Sequence, residues 1–363
     1  MNPSVYPPWL RTLATLAAAW AAALACVALG TPIPWMLGPL LMTALASVLG
    51  APTRSEAWLR DGGQWVIGAA LGLYFTPQVG ALVASLWWAI GLAVLWALGV
   101  GLVFGLWLKR RHVADFGPMP KATWHATSYF ASAIGGASEM TLMSERHGAR
   151  PDLVASAHSV RMVLVVLVVP FAMQWAQSYW GLQVDTRLLQ APQAPQWPGL
   201  LGLALATAAG AGLMLWMGRT NPWFMGALLV SMGLTLSGVQ WSAIPASVSN
   251  AAQLFIGVSL GVRFQRSFVH TAPRWLTSVA LGSLAMMGLS AVFGLWLAWA
   301  TGLHPATLIL GTAPGGIAEM AITAKVLQLG VPVVTAFQVC RLVAVLILVG
   351  PLFQWSNAHK KTA

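Results

Sequence analysis

Apolar runs, separated by short polar or proline-bearing turns, recur from near residue 10 to near residue 355. A run of about 20 such residues crosses bilayer hydrocarbon as a helix, the form that satisfies its own backbone there. Reading each run between turn signals as one helix gives segments near 10–30, 33–50, 57–75, 79–108, 121–147 and 153–176. A second set follows near 197–218, 221–238, 245–264, 273–300, 304–329 and 331–355. The pattern predicts an all-α integral membrane protein with membrane repeat 1 at 1–177, a proline-bearing linker at 178–197 and membrane repeat 2 at 198–363.

The two sets match residue by residue, which is the signature of internal duplication. Trp35-Met36-Leu37-Gly38 aligns with Trp223-Phe224-Met225-Gly226 at an offset of 188, and Gln64, Gly68, Gly72 and Phe75 align with Gln253, Gly257, Gly261 and Phe264 at 189. Further on the offset settles at 180, pairing Ala126-Thr127 with Ala306-Thr307, Arg161 with Arg341 and Gln174-Trp175 with Gln354-Trp355. Gly68/Gly72 and Gly257/Gly261 have the spacing of small residues that let helices approach closely.

Composition strengthens the membrane reading: 58% of the 363 residues are hydrophobic and 7% are charged, against about 25% charged in soluble domains. The net charge of +11 is carried by short loops, where Lys and Arg orient helices rather than bind nucleic acid. Lys109-Arg110-Arg111 corresponds to the nearly uncharged Thr301-Gly302-Leu303-His304, while Arg263, Arg266 and Arg274 correspond to the uncharged Thr76-Pro77-Gln78. Equivalent loops therefore belong on opposite sides of the membrane. The expectation is five crossings per half plus a broken or re-entrant segment, inverted repeats, and both termini in the cytoplasm of a bacterial inner-membrane protein.

That special segment is a six-residue stretch found twice, Gly135-Gly136-Ala137-Ser138-Glu139-Met140 and Gly315-Gly316-Ile317-Ala318-Glu319-Met320. Of eight acidic residues, Glu56, Asp61, Asp115, Glu145, Asp152 and Asp185 fall between or at the ends of apolar segments; Glu139 and Glu319 lie inside them. A charge at the centre of a membrane helix costs about 2.5–3.5 kcal/mol, so it marks a paired or water-lined position. Two glycines favour an interruption of the helix, and interrupted helices at matching places in two repeats are where secondary transporters bind solute and coupling ion.

Arg161 and Arg341 each follow their glutamate by 22 positions. They either offset the glutamates' charge, bind an anionic solute together, or fasten segments as static ion pairs. The first copy has the wetter surroundings: Thr123, His125, Thr127, Ser128, Ser132, Ser138 and Thr141, against Thr307, Thr312 and Thr323. His125, Thr127, Ser138, Thr307 and Thr312 are candidate cavity lining, and His125 and His158 candidate proton relays. No cofactor or metal is expected, because the seven histidines are scattered without ligand spacing, and Cys26 and Cys340 sit inside apolar runs. The tryptophans near segment ends, including Trp9, Trp58, Trp107, Trp197, Trp275 and Trp355, read as interfacial belts.

The doubled glycine–glutamate motif, the early Trp-Met-Leu-Gly and the full-length duplication resemble the bacterial AbrB-type membrane protein family, which is described both as an ammonia monooxygenase and as a regulator of gene expression. Its architecture is similar to that of the cation:proton antiporter and anion transporter superfamily, built from inverted five-helix repeats with broken helices crossing at the midplane. The resemblance and the residues together imply a non-enzymatic secondary transporter of a small anionic or organic solute coupled to H⁺ or Na⁺. An indirect membrane-embedded regulator is the alternative, and a monooxygenase the least favoured. The expected partners are the bilayer, the solute and its coupling ion, with homo-oligomers left open and no direct nucleic-acid contact.

Overall fold

The computed structural model describes residues 7–112, 119–180, 194–219, 221–264 and 273–361. Residues 181–193 of the expected linker, and Arg266, lie outside them. In the first half the helices are α1 (Pro8–Ala28), α2 (Pro34–Val48), α3 (Ala57–Gly72), α4 (Pro77–Ser85), α5 (Trp87–His112), α6 (Lys121–Ser132), α7 (Ala137–Arg146) and α8 (Pro151–Trp180). In the second they are α9 (Trp197–Trp216), α10 (Pro222–Leu236), α11 (Ala246–Gly261), α12 (Pro273–Thr301), α13 (Pro305–Thr312), α14 (Ile317–Val326) and α15 (Val331–Lys361).

Six of these, α1, α5, α8, α9, α12 and α15, are each long and apolar enough to cross a membrane. At 15 residues, α2 and α10 rise only about 22 Å, short of the hydrocarbon thickness. The expected segment at 79–108 is not one helix: α4 ends at Ser85 and α5 begins at Trp87. Instead α3 and α4 form a pair bent by 90°, because the chain leaves the helix at Leu73 and Pro77 starts a new one.

The chain forms two compact units, each drawn from both halves: Met1–Ser85, Pro170–His270 and Ala321–Pro332 in the first, Leu86–Val169, Thr271–Met320 and Val333–Ala363 in the second. In the first unit the duplicated glycines do reciprocal work. A Cβ on Gly257 of α11 would sit 2.5 Å from the Met36 carbonyl of α2, and one on Gly68 of α3 would strike the Phe224 carbonyl of α10. One turn on, Gly261 meets α2 at Leu40 and Gly72 meets α10 at Leu228. Each half thus packs its third helix, backbone to backbone, on the second helix of the other. The duplication extends to backbone strain: Ile33 (φ 42°) and Asn221 (φ 49°), 188 positions apart, are both left-handed residues before the proline that opens a helix.

In the second unit α5 and α12 run antiparallel. Trp96 stacks on Phe293 at 4.5 Å and donates to Ser290, Phe104 fills the space above Gly282, and His112 meets Trp275 at 5.5 Å. Trp275 is wholly buried and donates to the Leu153 carbonyl. It is a packing anchor, unlike the exposed Trp9, Trp58, Trp107, Trp197 and Trp355.

Candidate functional site

The second unit contains both copies of the glycine–glutamate motif. In each the chain leaves a short helix, runs extended, and starts another. Ala133 (φ −56°, ψ 135°) and Ala313 (φ −56°, ψ 139°) end α6 and α13 with nearly identical geometry, and Gly136 (φ −66°, ψ 137°) caps α7. Pro314 precedes the second glycine pair and Ile134 the first, so proline is not what breaks the helix. Nor do these glycines adopt a left-handed conformation.

What they supply is room. A Cβ on Gly136 would coincide with the Glu139 carboxylate, and one on Gly316 with that of Glu319. Each glutamate sits in the first turn of its helix with its carboxylate against the second glycine, near the helix N-terminus, where negative charge is favoured. The first glycine of each pair accommodates the motif's methionine and a valine from the other half. At Gly135 a Cβ would lie 3.0 Å from Met140 Cε and 3.2 Å from Val345 Cγ1; at Gly315 it would lie 3.1 Å from Met320 Cε and 2.7 Å from Val165 Cγ1. Val165 and Val345 are themselves 180 positions apart, so each break lies against the long helix of the opposite half.

The arginines are not paired with the glutamates. They turn to the other side of the break, where a helix end leaves carbonyls without donors and a positive charge complements the dipole. Arg341, 5% exposed, donates to the carbonyls of Ala313 (2.5 Å) and Gly315 (2.6 Å). Arg161, 3% exposed, donates to His158 Nδ1 at 2.7 Å and reaches the Ser132 carbonyl at 3.4 Å. The ion pairs Arg54–Glu56, Arg60–Asp61 and Arg150–Asp152 join near neighbours in sequence.

Two further positions complete the arrangement. His158 and Gln338 are equivalent at the offset of 180 and hold equivalent carbonyls: His158 Nε2 lies 3.0 Å from the Phe130 carbonyl, and Gln338 Nε2 donates to that of Leu310 at 2.7 Å. Because arginine only donates, His158 Nδ1 accepts, its proton sits on Nε2, and the ring is neutral with both nitrogens engaged. In the second half Arg341 passes by Gln338 to the break itself, leaving Gln338 Oε1 and Arg341 Nε buried without hydrogen-bond partners.

The candidate lining residues divide. Thr127, fully buried, accepts from the Arg150 N–H and donates to the Thr123 carbonyl, so it fixes the start of α8. Thr312 donates to the carbonyls of Leu308 and Ser290, tying α13 to α12. Thr307 is fully buried, and His125 is buried with its ring stacked on Phe353 at 5.7 Å. Ser138 is exposed. Glu139 is half-buried, whereas Glu319 is only 5% exposed. A cavity of about 10 Å³, room for one water, lies against the first break beside Ser132, Ile134 and Val345. Lys325 belongs to the other unit, where it donates to Ser249.

Residues 35–357 match the family described as "Transition state regulatory protein AbrB". Among curated proteins, the chain is 28% identical to "Uncharacterized protein YhjN" of Bacillus subtilis (strain 168) over 357 residues, covering 90% of this chain and 88% of the relative. It is 25% identical to "Putative regulator AbrB" of Escherichia coli (strain K12) over 336 residues, covering 90% of each. With the family match running through nearly its whole length, the chain belongs to the AbrB family.

Proposed function

We propose that this protein is a secondary transporter moving a small anionic or organic solute across the bacterial inner membrane, coupled to H⁺ or Na⁺. The observation that carries the reading is the matched pair of helix breaks within one compact unit, each with a carboxylate at the N-terminus of the helix that follows and a buried guanidinium on carbonyls at the end of the helix that precedes. Fixed half-helix ends of both signs are what a transporter uses to hold an anionic group and a cation together. Glu139, half-buried beside exposed Ser138, is the group that takes the coupling cation.

The antiparallel run of the equivalent helices α5 and α12 supports inverted repeats, as does the reciprocal packing of α3 on α10 and α2 on α11. It also supports placing Lys109-Arg110-Arg111 and Arg274 on one side, the cytoplasmic one. The family description names regulation; in our reading any effect on gene expression follows from the level of the transported solute.

The test is solute-driven flux in proteoliposomes loaded with a pH-sensitive dye and challenged with a panel of small carboxylates, with and without a Na⁺ gradient. Active wild-type protein is expected to lose coupled flux on Glu139→Gln. Flux that persists unchanged in a Glu139→Gln, Glu319→Gln double variant overturns the coupling role.

A further inference from the structure

An apolar groove of about 880 Å³ lies between α5 and α12, open to the outside of the chain and walled by Leu92, Trp96, Val103, Phe104, Leu281 and Phe293 among others. That volume is in the range of small-molecule sites, about 300–1,000 Å³. Its two ends differ. The stacked Trp96–Phe293 pair lies toward one end. At the other, the last turn of α5 carries Lys109, Arg110 and Arg111, and the antiparallel course of α12 brings its first turn, with Arg274, alongside. Trp124 donates to the Lys109 carbonyl and meets Trp275 at 5.6 Å, which brings Lys121, at the start of α6, to the same end. Asp152, carried there on α8 next to Leu153, is already paired with Arg150.

We infer that this groove binds one anionic glycerophospholipid, its acyl chains along the apolar walls and its phosphate against the Lys109–Arg111 and Arg274 cluster. Lys109, Arg110, Arg111, Lys121 and Arg274 outnumber the acidic residues in this stretch, Asp152 and Asp115, the latter outside the described residues, so the end is net positive and fits an amphiphile with an anionic head. The attraction of clustered Lys and Arg for anionic lipid is strongest within a Debye length of the membrane surface, and half-exposed Trp107 lies in the groove one turn from the cluster. A second copy of the chain is the poorer occupant. Seated by a two-fold axis along the membrane normal, it brings its own basic cluster to the same side, with like charges facing. This site is independent of the transport reading.

The test is native mass spectrometry of the full chain in non-ionic detergent, titrated with phosphatidylglycerol or with phosphatidylcholine of identical chains. The expected result is one retained phosphatidylglycerol, held at least tenfold more tightly than phosphatidylcholine. Changing Lys109, Arg110, Arg111 and Arg274 together to Gln abolishes that preference. Gly99→Phe, whose Cβ has nothing within 4 Å and whose ring enters the groove, displaces the lipid while the protein stays monodisperse. Equal retention of the two lipids by the wild type overturns the proposal. So does a phosphatidylglycerol preference that survives both variants, or dimers in place of bound lipid that are lost on Gly99→Phe.

Discussion

The two helix breaks are built from the same six-residue motif at the same offset, yet they are held differently. At the second, Arg341 clamps two carbonyls of the break with bonds of 2.5 and 2.6 Å, and Glu319 is buried. At the first, His158 draws Arg161 aside, leaving one contact of 3.4 Å to the break, and Glu139 is half-buried next to exposed Ser138. A duplicated scaffold has thus been divided into a fastened side and a loosely held, more exposed side. One pair of residues, His158 and Gln338, makes the difference: imidazole Nδ1 accepts from its arginine, whereas the amide uses its donor on carbonyls and leaves its arginine free to reach the break.

The largest contrast is expected from removing the arginines. Arg341→Met removes two short bonds from the second break and strands the Gly315 carbonyl, at about 1–3 kcal/mol for a buried group left unsatisfied, while Ala313 keeps its bonds from Gln338 and the Gly315 N–H. Arg161→Met removes one long contact from the first break and strands His158 Nδ1 instead. Thermal unfolding in detergent measures the losses, and amide exchange should quicken across 313–317 in the first variant but little across 133–137 in the second; equal exchange effects erase the distinction. Next come the second glycines. In Gly316→Ala the new methyl meets a buried carboxylate that has nowhere to go, an overpacking cost of about 1–3 kcal/mol. In Gly136→Ala the half-buried Glu139 swings outward, and the same unfolding assay should register less than about 1 kcal/mol. Smaller still is His158→Gln, which makes the first half like the second. Arg161 is then freed toward the carbonyls of Ala133 and Gly135, and amide exchange across 133–137 should slow severalfold with stability changed by about 1 kcal/mol or less. Unaltered exchange there means that His158 does not set the asymmetry.

Much of this was legible along the chain. The duplication, the interruption at the motif, and the close-packing role of Gly68, Gly72, Gly257 and Gly261 follow from spacing alone, because spacing is what sets which residues share a helix face. The partners of the arginines were not. Equal separations of 22 residues suggested Glu–Arg pairs, but a broken helix exposes its own carbonyls at the spot where the arginine arrives, and those are the nearer demand. The equivalence of His158 and Gln338 is visible at the offset of 180; its meaning depends on which atom of each side chain donates, which spacing does not carry. The 90° bend between α3 and α4 was also hidden, though Thr76-Pro77 marks it, because apolar character continues on both sides. Thr127 and Thr312, polar in an apolar run, turned out to be spent on backbone groups, a common fate of hydroxyls in membrane helices.

The central claim, that the first break is the open, working side and the second the fixed one, is tested most directly by thiol accessibility at equivalent positions. In a background with Cys26 and Cys340 replaced, Ser138→Cys and Ala318→Cys are each exposed to a membrane-impermeant methanethiosulfonate in sealed vesicles of both orientations. The account predicts that the thiol at 138 is modified at least about tenfold faster than the thiol at 318, a gap of about 1.4 kcal/mol in access. Equal rates at the two positions, or no reaction at either, contradict it.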